Sequence, residues 1–325
     1  MSYVRPGSAA RRRSRQRSPG MLALVVAALA VVTLLTLMVP AVSDQHAPKL
    51  RAIQPGPRTP PVHPTYGAQP APANERVHVR LKLALKSGLL FDVRTGEVLW
   101  AREPSRIAPI ASLTKMMTAL VVVSRAVPNA SVPITPAAVH FTGSGVGLLP
   151  VGKRVPLDAL LYGLLLPSGN DAAIALADYV GGSQRGFIGL MNDRARQLGL
   201  RCTHFATVSG IVDLGNYSCA SDLAVIAHAV LEQPLLARIV GSRSAILPFP
   251  IKGGKLYLYN NNPLLLLRFP GADGVKTGFT DAAGPCLVAA ARRGHAWLAV
   301  VLLHSADPSD QAQQLLNAGF ARLSS

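Results

Sequence analysis

The sequence predicts an α/β domain in which one sheet draws strands from both ends of the folded region and a helical lobe is inserted between them. Three observations carry this reading. The folded region opens with "GLLFDVRTGEVLW", two strand-like runs joined by a turn at "RTG". Its middle is a succession of helix-like apolar patterns. It closes with "CLVAAARR" and "AWLAVVLLHS", two adjacent strands joined by a tight turn at Gly294 and His295, and then a helix.

Each element has its own signal. "APIASLTKMMTALVVVSRAV" is the first clear helix, with Pro109 just ahead of it. "PLDALLYGLLLPSGN" is a helix that must end near Pro167, because proline cannot continue it. "DAAIALADYV" starts another straight after it, and the apolar recurrence of "QRGFIGLMNDRARQLGL" predicts a further one. "CASDLAVIAHAVLEQPLL" reads as one helix with Ser221 as its cap. "SDQAQQLLNAGFARL" closes the chain as a helix capped by Ser309 or Asp310. A cleft is expected between sheet and lobe, where ligand sites commonly occur.

Charge and hydropathy bound the topology. The 325 residues carry a formal net charge of +17, and the first twenty contain "RRRSRQR" and no acid. From Met21 the chain has no charge until Asp44, a run long enough to cross a bilayer as a helix. Arginines on its N-terminal side predict the N-terminus inside and the body outside. The expected organisation is a basic cytoplasmic tail over 1–20, a transmembrane anchor or signal peptide over 21–43, a proline-rich linker over 44–75 and a catalytic domain over 76–325. A cleaved signal peptide remains the competing reading, since "VPAVS" offers small residues to a signal peptidase. In both readings the body is exported, which sets nucleic-acid binding by the arginine tail aside. The three cysteines exclude a fully paired internal framework, and whether Cys202 and Cys219 pair is left open. Neither the cysteines nor the scattered histidines have metal-ligand spacing, so no metal or other cofactor is expected.

The chemistry lies in three short motifs. "ASLTKMMTAL" sets Ser112 and Lys115 three residues apart, on one face if the segment is helical. A serine hydroxyl becomes a nucleophile when a base takes its proton. A lysine serves as that base when burial or a neighbouring cation keeps it neutral. An N-cap serine beside a snorkelling lysine is the competing structural reading. "PSGN" places Ser168 and Asn170 on a turn between two helices, and "GVKTGFTDAAG" places Lys276, Thr277 and Gly278 in front of a strand at a sheet edge. Singly, these two are an ordinary helix connection and a solvated turn. In the order S-x-x-K, S-x-N, K-T-G, the three form the signature of penicillin-binding proteins and class A β-lactamases.

On these motifs and their flanks, "LLYGLLLPSGNDAAIALA" and "GADGVKTGFTDAAGPCLVAAA", the chain resembles the serine-type D-alanyl-D-alanine carboxypeptidases of the low-molecular-mass penicillin-binding class. The resemblance runs from "LLFDVRTGEVLW" to the terminal helix. It implies the β-lactamase/DD-peptidase-like transpeptidase fold, an antiparallel sheet with an inserted helical subdomain. It also implies an acyl-enzyme on Ser112, formed with a peptidoglycan stem peptide ending in D-Ala-D-Ala, and covalent inhibition by β-lactam antibiotics. Lys115 would take the proton of Ser112, and Ser168 would relay protons to the leaving amine. Asn170 would hold the substrate backbone and help orient Lys115. Lys276 would make the cleft positive and help keep Lys115 neutral, and Thr277 would bind the terminal carboxylate. The backbone N–H groups of Ser112 and Phe279 would form the oxyanion hole. Gly278 would leave room for substrate alongside the strand, and "GSG" at 143–145 would border the cleft.

The chain departs from the usual pattern in three places. Pro167 precedes the S-x-N serine, and "ATVSGIVDLGNYSCASDLA" replaces an Asn-Gly-Leu-like stretch and a Thr-Ala helix entry. The C-terminal β-rich domain and amphipathic tail of many relatives are expected to be missing, with membrane attachment passing to the N-terminal apolar segment. A β-lactamase would want a deacylating glutamate, yet the only glutamate beyond Ser168 is Glu232, inside a helix-like run, and Gly169 stands where class A enzymes have aspartate. A DD-endopeptidase shares the same serine centre, and a non-catalytic wall-binding protein is the remaining alternative.

Overall fold

The computed structural model describes residues 77–127, 129–147 and 149–324. The expected tail, anchor and linker lie outside the described residues. The first hairpin is β1 (Leu85–Asp92) and β2 (Val98–Arg102). Its turn forms because the Asp92 carboxylate accepts from the backbone N–H of Arg94 and Thr95, at 2.8 and 3.0 Å. Near the other end, β9 (Ala272–Gly278), β10 (Cys286–Arg293) and β11 (Ala296–Ser305) complete a five-stranded antiparallel sheet ordered β2-β1-β11-β10-β9, with shorter elements between β2 and β9 numbered as they arise. The sheet thus takes strands from both ends of the domain, as the sequence predicts. Register pairs Leu89 with Val301 and Val288 with Val301, so β11 is the central strand that joins the two halves.

Both faces of the sheet are covered, which explains why its central strands read as continuous apolar runs rather than alternating ones. Leu89, Phe91, Val288, Ala299 and Val301 face the helical lobe. Leu90, Leu287, Leu298, Val300 and Leu302 face Leu315, Leu316 and Phe320 of the terminal helix.

The lobe is built around α1 (Thr114–Arg125), preceded by a single 3₁₀ turn at Ala111–Leu113. Every residue from Thr114 to Val122 is buried. A helix enclosed all round belongs at the centre of its layer, and α1 packs on four others. These are α3 (Leu157–Leu165), α4 (Asn170–Gly181), α5 (Gln184–Gln197) and α6 (Ala220–Glu232), α2 being the short turn Pro136–Val139.

Several details differ from the sequence reading. The run around "LEQPLL" is two helices, because Pro234 cannot donate to the preceding turn; α6 ends at Glu232 and α7 (Pro234–Gly241) leaves at 101°. Ser221 does not cap α6. Cys219 occupies that position without a side-chain hydrogen bond, and the Ser221 N–H donates to Pro104 O. The terminal helix α9 (Pro308–Ser324, after the four-residue α8 at Pro263–Leu266) is capped neither by Ser309 nor by Asp310. The Asp307 carboxylate accepts from the Asp310 N–H at 3.0 Å. The hairpin of β7 (Ser244–Pro248) and β8 (Lys255–Tyr259) had no place in the sequence reading; the other strands are short pairings of β3 (Ala108–Pro109) with β6 (Tyr217–Ser218) and of β4 (Ser131–Pro133) with β5 (Arg154–Pro156). Among the described residues no single helix is long and apolar enough to cross a membrane.

Candidate active site

The 3₁₀ turn holds Ser112 at the mouth of the lobe. Ala111, just before it, has φ +46°, a left-handed conformation that a side chain adopts only when its surroundings enforce it. The enforcing contacts come from 207–217. Gly210 has φ +78°, and a Cβ there would sit 1.9 Å from Ala111 O. Asn216 donates to Thr114 Oγ1 at 2.8 Å, and that hydroxyl donates to Ala111 O at 2.8 Å.

Lys115, one turn on, is fully buried. Its Nζ lies 2.9 Å from Ser112 Oγ and 2.7 Å from Ser209 O. Burial first, and then the Lys276 ammonium, holds the Lys115 amine well below its ordinary value, while the Asp171 carboxylate acts the other way. Burial also brings Lys276 down to about 7. Neither the cap nor the snorkelling reading survives this geometry. The N-cap position of α1 is Leu113, with no side-chain bond, and the Lys115 amine points inward.

Ser168 and Asn170 follow the end of α3. Ser168 has φ +69°, and its hydroxyl is buried with no hydrogen-bond partner. Asn170 opens α4; its amide donates to Thr142 O at 2.6 Å, and its buried carboxamide oxygen has no partner. Buried polar atoms are ordinarily hydrogen-bonded, so these two stand out within the protein. The bond that orients Lys115 therefore comes from the Ser209 carbonyl rather than from Asn170. Asp171 braces this wall. Its buried carboxylate accepts from the N–H groups of Val146, Gly147 and Ala172, at 2.8–2.9 Å. That ties down the loop after "GSG", and a Cβ on Gly143 would meet Asn170 Nδ2 at 3.0 Å.

Lys276, Thr277 and Gly278 do not precede a strand; they end β9, the sheet's edge strand. An edge strand leaves one row of backbone groups unpaired by the sheet, and this one faces the serine. A Cβ on Gly278 would come within 3.2 Å of Ser112 N and 3.1 Å of Ile110 O. Lys276 is buried and donates to Thr277 O at 2.9 Å, Thr277 is half-buried, and Phe279 is exposed. The Thr280 hydroxyl donates to the Asp213 carboxylate at 2.8 Å, which joins this end of the strand to the 207–217 loop.

The structure thus brings Ser112 and Lys115 against the end of β9, where sheet and lobe meet, with Lys276 and the Asp171 carboxylate next to Asn170 close enough to act on Lys115. Four contributors escaped the sequence reading: Ser209, which acts through its carbonyl, Gly210, Asn216 and Asp171. Only Asp171 carried a signal, as an acid in the first turn of a helix that begins at a motif.

Residues 73–307 match the family model described as D-alanyl-D-alanine carboxypeptidase. The chain is 33% identical over 236 residues to D-alanyl-D-alanine carboxypeptidase DacF of Bacillus subtilis, covering 71% of this chain and 60% of that one. It is 37% identical to DacB2 of Mycobacterium tuberculosis, covering 72% of this chain and 81% of that one. The crystal structure of a Streptomyces DD-transpeptidase superposes with a TM-score of 0.70 at 34% identity, over 75% of this chain and all of that one. The chain spans 60–62% of the length of the Bacillus relative and of Escherichia coli DacD. Sequence, motif order and fold agree, and the chain belongs to the D-alanyl-D-alanine carboxypeptidase family.

Proposed function

We propose that this chain removes the terminal D-alanine from peptidoglycan stem peptides through an acyl-enzyme on Ser112. The observation that carries the reading is the buried Lys115 amine, its pKa pushed well down by burial, 2.9 Å from the Ser112 hydroxyl. One N–H of the neutral amine goes to Ser209 O, which leaves the nitrogen lone pair for the serine proton. The freed Oγ attacks the scissile carbonyl. The N–H groups of Ser112 and Phe279 stabilise the oxyanion, at the point where the end of β9 meets the serine turn. Ser168 Oγ passes a proton to the leaving amine, and Asn170 Oδ1 accepts from the substrate backbone. Thr277 and Lys276 bind the terminal carboxylate. A carboxylate beside Lys276 favours its charged form, so substrate binding draws a proton from solvent onto an amine that is only partly charged near pH 7.

β-Lactams acylate Ser112 by the same steps. Transfer of the acyl group to an amine rather than to water is a second reading, favoured by the full coverage of the Streptomyces DD-transpeptidase; the two share every step up to the acyl-enzyme. Residues 21–43 anchor the chain, with the catalytic domain on the outer side.

The test is D-alanine release from one peptide ending in D-Ala-D-Ala, as the free acid and as the amide, beside Ser112→Ala. The capped peptide is expected to lose about 10²-fold in kcat/KM, or about 2.7 kcal/mol of transition-state binding. Equal rates on both forms point to endopeptidase activity instead. Undiminished release by Ser112→Ala removes the serine from the mechanism. Adding an amine acceptor and analysing the products separates hydrolysis from transfer.

A further inference from the structure

Cys202 and Cys219 form a disulfide, with Cα atoms 5.9 Å apart, that closes the segment between them into a loop. Several contacts that shape the serine–lysine turn come from this loop, beside those from the end of β9. Val208 O accepts from Thr118, and Ser209 O from Lys115, both at 2.7 Å. Gly210 packs on Ala111 O, and Asn216 reaches Ala111 O through Thr114. Asp213 holds the segment after Gly278 through Thr280. The neck of the loop is narrow. His204 and Tyr217 exchange backbone hydrogen bonds at 3.0 Å, the Thr203 and Ser218 hydroxyls meet at 2.7 Å, and Asp222 accepts from Cys202 N and from Thr203. The loop has little apolar anchorage of its own. Phe205 and Val208 are buried, but Val212 and Leu214 are exposed. Segments of this kind open locally at low cost unless they are tied down.

We propose that the Cys202–Cys219 disulfide is a positioning device for the serine–lysine pair: it keeps the loop seated, and so keeps the Ser209 carbonyl on Lys115. This rests on the reading of Ser112 and Lys115 given above. A dithiol reductant undoes it with balanced chemistry. One thiolate of the reductant attacks Cys202, which is half-buried and so reachable, and a mixed disulfide forms. The second thiolate resolves that intermediate. The reductant leaves as its own disulfide, having given two electrons, and Cys202 and Cys219 take up two protons. The third cysteine does not interfere, because burial pushes the Cys286 thiol up to about 11 and keeps it protonated.

An unseated loop lets water reach Lys115. Water removes part of the burial that lowers its pKa, while Lys276 on β9 and Asp171 on α4 still face it. The amine then needs a higher pH to become neutral. A purely structural bond would not move that pH dependence.

The experiment measures acylation by a fluorescent penicillin across pH on the 325-residue chain in three forms: oxidised, reduced with a dithiol, and Cys202→Ser/Cys219→Ser. The reduced form and the double variant are expected to acylate roughly tenfold more slowly near neutral pH. Their acid limbs should move upward, reoxidation should restore the native chain, and the double variant should ignore the reductant. If the double variant fails to fold, the reduced and reoxidised native chain decides alone, with circular dichroism as the check on folding. Superimposable pH profiles in the two redox states overturn the proposal, whether or not the overall rate falls. Labelling that persists in Ser112→Ala overturns the underlying reading instead.

Discussion

Two buried lysines share the cleft, and their surroundings separate them. Lys115 feels burial and the Lys276 charge, whereas burial alone accounts for the lowering of Lys276 to about 7. Lys276→Ala removes the neighbouring cation and admits water, and both changes raise the pKa of Lys115. The acid limb of penicillin acylation is expected to move to higher pH; an unchanged pH profile would show that the amines are not coupled. Gly210→Ala tests the turn from the other side. Its φ of +78° and the 1.9 Å approach to Ala111 O leave no room for a methyl group, so the loop or the serine turn must shift. Acylation is expected to fall by about 10²-fold, as a displacement of about 1 Å at a reacting group does. Stopped-flow quenching by a penicillin reads it directly.

The elements carry the site by where they end. α3 stops at Leu165, two residues before Pro167, and α4 starts at Asn170. The short connection that results carries two buried polar side chains, Ser168 and Asn170. Asp171 then ties that connection to the 143–147 loop. Asp171→Asn replaces an acceptor of three N–H bonds with an amide, half of which is a donor. It is expected to cost about 1–3 kcal/mol in urea denaturation and to slow acylation as well. Asp307→Ala, which uncaps α9 on the opposite face of the sheet, should cost about 1 kcal/mol and leave the acylation rate unchanged. At this scale the sequence was legible wherever a helix was long and periodic. It was less so at boundaries. Pro234 breaks a run whose apolar pattern continues through it, and the cap of α9, Asp307, lies two residues before the earlier of the two caps read from sequence, Ser309. The β7–β8 hairpin was hidden because the loop "PFPIKGGK" dominates its local composition.

The whole domain holds two lysines in places that favour their neutral forms, and its stability should follow. Unfolded, each amine titrates near its ordinary value of 10.5; folded, burial brings Lys276 to about 7 and holds Lys115 well below its ordinary value. Between about pH 7 and the unfolded value the unfolded chain binds more protons, so stability rises with pH across that window. Thermal melts from pH 6 to 9 should show Tm increasing, and a flat or falling profile would contradict it. Lys276→Met removes one buried amine. It is expected to raise Tm at pH 6 and flatten the pH dependence, while penicillin acylation falls, a trade of activity for stability.

The sequence by itself determined the strands at the two ends of the domain, the long helices between them and the spacing of the three motifs. These are local or periodic properties, and an apolar period or a pair of residues one turn apart reads the same in any context. It also determined, through motif order, which family to compare. Only the tertiary structure decided the surroundings of Lys115 on which its proposed role as a base rests. Its burial, its approach to Lys276 and its bond to the Ser209 carbonyl join segments far apart in the chain. The pairing of Cys202 with Cys219 was equally beyond the sequence, because three cysteines allow more than one pair and only the packed loop brings these two within reach. Contacts of that kind depend on the distance between chain segments after folding, and no local pattern encodes that distance.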